Sequence, residues 1–173
     1  MAKWMCGISQ RLGEMCPYVY ENAWSPHLAS RVEGNPVDLA VVHEGFTKVA
    51  ENYDYITMEG SGGILCPLCF DERKIQLEDV IREFGLSSIL VADTGLGTIN
   101  SVVLTFEYMK THNLPLKGII FNHYHPGNIM EEDNIFMCEH MTGLPVLAKV
   151  QDNATELETD ADVLSALYDE VKI

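Results

Sequence analysis

Glu59 closes an apolar run, Tyr55-Ile56-Thr57-Met58, and Gly60, Gly62 and Gly63 follow it at once. A carboxylate where a buried strand opens into a glycine loop can hold a metal ion beside a phosphate. The same pattern also fits a solvated acid at an ordinary turn. A second group, Gly95-Leu96-Gly97-Thr98-Ile99-Asn100, sets small residues ahead of a helix. Its backbone N–H groups could receive a carboxylate or phosphate, and Thr98 or Asn100 could equally be plain helix caps. Asn122 ends a third apolar run, Gly118-Ile119-Ile120-Phe121. Cys66-Pro67-Leu68-Cys69 has zinc-knuckle spacing but no second pair nearby. His123 and His125 with Cys138 or His140 would make a metal site only if folding joined them. His27 reads as a structural or pocket-lining residue, with a general base as the lesser alternative. The sequence contains no Gly-Lys pair, so the glycine-rich phosphate loop that ends in Lys and Ser or Thr is missing from these residues.

These groups need elements to hold them. Tyr55–Met58, Ser88–Ala92, Lys117–Phe121 and Pro145–Val150 read as four strands. Helices are expected from Pro26 to about Val32 behind Ser25 as N-cap, and from Asp38 to about Asn52 with Leu39, Val42, Phe46 and Val49 on one face. Leu77 to Phe84, capped by Gly85, about Ile99 to His112, Asn128 to Met141, and Asp160 to Val171 complete the set. Met1 to Arg11 has a weakly helical pattern, and Cys16 to Tyr20 reads as extended. Strands alternating with helices imply parallel units with right-handed crossovers, hence a doubly wound, three-layer α/β sheet in a single domain over residues 1–173.

Composition narrows the function. The chain has 173 residues, 47% of them hydrophobic, enough for a buried core. Its 26 acidic residues against 11 basic ones give a net charge of -15. Nucleic acid would be repelled, because the Lys and Arg footprint for phosphates is absent. Glu131-Glu132-Asp133 and the region from Asp152 to Glu170 read as solvated acidic faces. No apolar stretch reaches membrane-spanning length, and the first residues do not have the pattern of a signal peptide. Five scattered cysteines argue for reduced thiols, so the expected location is the cytoplasm.

Ordered motifs across nearly the whole chain resemble the dethiobiotin synthetase family. They are Cys16-Pro17-Tyr18, Ser25-Pro26-His27-Leu28-Ala29, Glu33-Gly34, Met58-Glu59-Gly60-Ser61-Gly62-Gly63, Pro67-Leu68, Gly95 to Asn100, Gly118 to Asn122, and Gly143-Leu144-Pro145-Val146-Leu147. The resemblance implies a fold of the P-loop NTPase type and an ATP- and Mg²⁺-dependent ligase of biotin biosynthesis. Such an enzyme closes the ureido ring of dethiobiotin from 7,8-diaminononanoate and CO₂. By this likeness Glu59 is catalytic and a Mg²⁺ ligand, and Gly60, Gly62 and Gly63 border the nucleotide phosphates. Asn122 recognises adenine. Gly97, Thr98, Asn100 and Ser25 bind the substrate, a carbamate of diaminononanoate, across a homodimer interface.

The sequence also departs from that pattern. The match begins after the family's first strand, its phosphate loop with the catalytic Lys, a second Lys and a Mg²⁺-binding Asp. Gln151 replaces the usual Pro beside the adenine site. Two function classes follow. One is a dethiobiotin synthetase that needs a phosphate-loop segment from a longer start or a separate polypeptide. The other is a non-catalytic binding subunit that keeps the dimer surface and the carboxylate site.

Overall fold

The computed structural model describes residues 9–170, and its contacts divide the chain at Phe84/Gly85 into two compact units. The expected helix at Met1 to Arg11 lies mostly outside the described residues.

Among the described residues the first unit carries three helices, a hairpin and a fourth helix: α1 (Leu12–Met15), α2 (Pro26–Val32), α3 (Leu39–Ala50), β1 (Pro67–Phe70), β2 (Lys74–Gln76) and α4 (Leu77–Phe84). Local chemistry explains most of these bounds. Pro26 starts α2, where its fixed φ suits the helix and its missing N–H has no partner to lose. Asp38 caps α3 by accepting from the Ala40 N–H at 3.0 Å, and Arg73 braces the same carboxylate at 2.6 Å. Gly85, at φ 61°, takes the left-handed conformation that ends α4. The core gathers Val37, Cys69 and Ile75, with Tyr18, Leu39, Val42 and Leu68 packed around them. Phe46 of α3 stacks on Phe84 of α4 with ring centroids 4.2 Å apart.

One expected strand is corrected here. Tyr55–Met58 forms no strand: the stretch belongs to neither described sheet, and Tyr55 is 62% exposed. Its residues have β propensity, but a strand exists only as one side of a ladder, and propensity alone supplies no second side. The antiparallel β1–β2 hairpin occupies instead the stretch marked by Cys66 and Cys69. It joins Cys69 to Ile75 and buries both, so Cys69 serves packing.

The second unit is a parallel sheet in the order β3 (Ser88–Asp93), β4 (Leu116–Asn122), β5 (Val146–Lys149), crossed by α5 (Thr98–Thr111) and α6 (Ile129–Thr142), with the short α7 (Ala161–Ser165) near its end. The α/β reading with a parallel sheet is borne out. Successive crossovers of one hand that step in one direction put their helices on one face. Accordingly Val102 of α5, Ile135 and Cys138 of α6, and Ile119 and Phe121 of β4 make one buried cluster. Gly118 lets β4 and β5 pack closely, because a Cβ there would lie 2.6 Å from the Leu147 side chain of β5 and push it aside.

Candidate functional site

The strand ends of the second unit bring three loops together. Asp93 ends β3 directly beside Asn122, which ends β4. Tyr124 N–H donates to Val150 O at 2.9 Å, and Val150 N–H donates to Phe121 O at 2.7 Å, so the segment after β5 follows the end of β4. Ligands collect at this edge in open parallel sheets.

The loop between β3 and α5 is built in detail. Gly97 is the N-cap of α5 at φ 93°, a conformation that L side chains rarely adopt. Thr98 is buried, its hydroxyl donating to Asp93 O at 2.5 Å and its N–H to Gly95 O at 3.2 Å. Thr98 therefore shapes the loop with both of its donors, while Asn100 stands exposed in the first turn of α5. Asp93 receives the Gly95 N–H at 2.8 Å and faces His123 Nδ1 at 3.1 Å. Those two contacts, the Gly95 N–H first, hold its carboxyl below the usual carboxylate range.

Sequence reasoning missed the residue that fixes this loop. Asn134, 8% exposed, donates from Nδ2 to Thr94 O at 2.9 Å and to Gly95 O at 3.3 Å. Glu131, read as part of a solvated acidic face, is instead 6% exposed, and it accepts from the His125 N–H at 2.7 Å and from Asn128 Nδ2 at 2.8 Å. Burial pushes its carboxyl up, but the hydrogen bonds from His125 outweigh that and leave it below the ordinary value. Glu132 and Asp133 are exposed, as expected. The signal was present in the helical period: 131, 134, 135 and 138 share one face of α6, so two polar residues lie on the side that Ile135 and Cys138 bury.

The remaining candidates lie in the first unit. Ser25 precedes α2 but makes no side-chain cap hydrogen bond. His27 Nδ1 is buried without a hydrogen-bond partner among the described residues. Glu59 is exposed. The loop behind it is closed by the Cys66 N–H donating to Gly63 O at 2.8 Å, and Gly60 packs so close to Leu77 that a Cβ would lie 2.6 Å from it. Gly62 sits at φ 94°. No group of three or more His, Cys, Asp or Glu among the described residues is arranged to hold a metal, so the zinc reading of Cys66 and Cys69 finds no ligand set. A single carboxylate still suits Mg²⁺, which keeps several waters and binds through one or two carboxylates and the phosphates of a substrate. No helix among the described residues is long and apolar enough to cross a membrane.

A family model described as an AAA domain matches residues 1–158. The chain belongs to that family. It is 46% identical over 146 residues to the ATP-dependent dethiobiotin synthetase BioD of Brachyspira hyodysenteriae, a match covering 84% of this chain and 66% of the relative. To the same-named protein of Clostridium novyi it is 42% identical over 158 residues, 89% of this chain and 66% of that one. To that of Clostridium perfringens strain 13 it is 42% identical over 144 residues, 83% and 63% respectively. The chain thus spans about two thirds of the length of these relatives. The likeness to dethiobiotin synthetases read from the motifs, and with it the AAA-domain, P-loop type of fold, is borne out.

Proposed function

We propose that the chain carries the substrate-binding, base-binding and Glu59 part of a cytoplasmic, homodimeric, ATP-dependent dethiobiotin synthetase. Phosphoryl transfer then needs a phosphate-loop segment that these 173 residues lack. The observation that carries this reading is the 46% identity to a dethiobiotin synthetase, combined with the family's three motif loops standing at Glu59, Gly95 to Asn100 and Asn122.

In the proposed chemistry one amine of diaminononanoate and CO₂ form a carbamate, and a carbamate oxygen takes the γ-phosphoryl group of ATP. The second amine attacks the carbonyl carbon of the mixed anhydride, phosphate leaves with the bonding electrons, and the ureido ring closes with release of a proton. This chain's residues act by position. Gly97 and Asn100 offer backbone and amide donors to the substrate carboxylate at the start of α5, in the loop shaped by Thr98 and anchored by Asn134. Ser25 supplies a further exposed hydroxyl. Asn122, with its amide on the sheet edge, reads the adenine, and Gly60, Gly62 and Gly63 let the backbone approach the phosphates closely. Glu59 would ligate Mg²⁺, which neutralises phosphate charge when bound.

The test is dethiobiotin formation from diaminononanoate, bicarbonate and MgATP, measured for the chain alone and with a polypeptide supplying the phosphate-loop strand. The expected result is no product alone and turnover on reconstitution. Robust turnover by the chain alone overturns the requirement for a phosphate loop. Dethiobiotin that fails to shift the amide resonances of Gly97 to Asn100 overturns the substrate assignment. The lack of a Gly-Lys pair equally favours a binding subunit, the reading left standing if reconstitution yields binding without turnover.

A further inference from the structure

His125 ties three pieces of the second unit together. Its N–H reaches Glu131 Oε2 at 2.7 Å, its ring Nδ1 lies 2.9 Å from Glu131 Oε1, and its Nε2 lies 3.2 Å from Asp152 Oδ2. Glu131 belongs to the first turn of α6, and Asp152 lies two residues beyond the Val150 that pairs with the end of β4. Gln151, Asp152 and Asn153 line a cavity of about 300 Å³ with Lys149 and Glu156. An imidazole facing a carboxylate at each nitrogen satisfies both only when both nitrogens carry protons.

The two contacts are not equal. Glu131 is buried, short and backed by the backbone N–H and by Asn128, whereas the Asp152 carboxylate is half exposed and further away. On losing a proton the ring keeps Nδ1–H on Glu131 and turns a lone pair toward Asp152. One contact survives and the other becomes repulsive.

We propose that His125 is a positioning residue of the nucleotide-base site. With its charge it holds Asp152, and through it the Gln151 to Asn153 wall, against the end of β4; neutral, it releases that wall while remaining on Glu131. The proposal rests on the reading that adenine lies beside Asn122. The ring is faced by Glu131 from α6 and by Asp152 from the segment after β5. Tyr124 gives its hydroxyl to Glu132 at 3.2 Å and carries Lys149 over its ring at 5.2 Å, and His123 is paired with Asp93. The surroundings are mainly acidic. Hydrogen bonds to Glu131 and then to Asp152 hold the imidazole above its ordinary value. The clasp is therefore complete below that value and opens as pH rises through the elevated one.

The experiment uses the 173-residue chain and adenosine, which carries the base without phosphate charge. Affinity is read by NMR from about pH 6 to about pH 9, together with the His125 ring titration. The wild type should weaken about two- to fivefold across that titration, the size exposed ion pairs carry. His125→Gln should hold the weak value at every pH, and His125→Lys the tight one. A wild-type profile that is flat across the ring titration, or a slope retained in His125→Gln, overturns the proposal. If adenosine moves neither Asn122 nor Gln151 at any pH, the adenine reading fails. The clasp is then still decided by the free protein. The amides of Gln151 to Asn153 should titrate with the ring in the wild type and cease to do so in His125→Gln and Asp152→Asn. Amides that ignore the ring refute it.

Discussion

Replacing Asn134 tests whether the carboxylate loop is held from below. Its Nδ2 supplies one bond of good length, 2.9 Å to Thr94 O, and one longer bond, 3.3 Å to Gly95 O. In Asn134→Ala both carbonyls lose this donor, and Thr94 is only 1% exposed. At about 1 kcal/mol net per bond, with part of the second discounted for length and a further share for a buried carbonyl left short of a partner, the loss comes to about 2 kcal/mol. With a urea slope of about 2 kcal/mol/M, the midpoint should fall by about 1 M. Far-UV circular dichroism follows the helices of both units. The only tryptophans, Trp4 and Trp24, both precede Phe84, so their fluorescence separates the first unit's share. Asn134→Asp sharpens the test. A carboxylate cannot donate to two carbonyl oxygens, so it should be worse than alanine at neutral pH. Its folded-state pKa is then raised, so stability should recover as pH falls and the acid regains a proton to donate. If Asn134→Asp is as stable as the wild type near neutral pH, the amide is not the donor and the anchoring argument fails.

Other substitutions probe separate links. Glu59→Gln should abolish turnover in a reconstituted enzyme while leaving the urea midpoint unchanged; full activity would remove Glu59 from the metal site. Gly97→Ala should cost about 1 kcal/mol through the left-handed N-cap and weaken dethiobiotin binding, both readable in one calorimetric series. Arg73 holds the Asp38 carboxyl below the usual range, followed by the Ala40 N–H. Asp38 therefore stabilises above the ordinary carboxylate pKa, and that help is lost as pH falls through the lowered one. The difference in melting temperature between wild type and Asp38→Ala should accordingly be constant near neutrality and vanish in acid.

Some of this architecture was plain in the residue order. Ser88–Asp93 and Leu116–Asn122 carry β-branched and apolar runs that end in turn residues, and both are strands. Pro26, Asp38 and Gly85 mark helix ends through backbone rules that act within a few positions. What escaped depends on partners distant in the chain. Tyr55–Met58 has the residues of a strand, but pairing decides, and propensity does not record pairing. Asn134 meets Thr94 from 40 positions away, and His125 meets Asp152 from 27. Glu131 was hidden by its acidic neighbours: a run of charge looks solvated, although helical geometry turns every third or fourth member inward. Glu59, Gly97, Thr98, Asn100 and Asn122 were singled out from the sequence; Asn134, which anchors the loop, was not.

The close fit of Leu147 over Gly118 leaves a mark on how this sequence can drift. A Cβ at Gly118 would meet three carbons of Leu147 between 2.6 and 2.9 Å. The two positions are then coupled: G118A requires the leucine side chain to shift, and L147A uncovers the glycine that it packs on. A paired exchange is therefore easier than either change alone. Separate lineages should therefore favour either Gly facing a large residue or a small side chain facing a smaller one over the mixed pair.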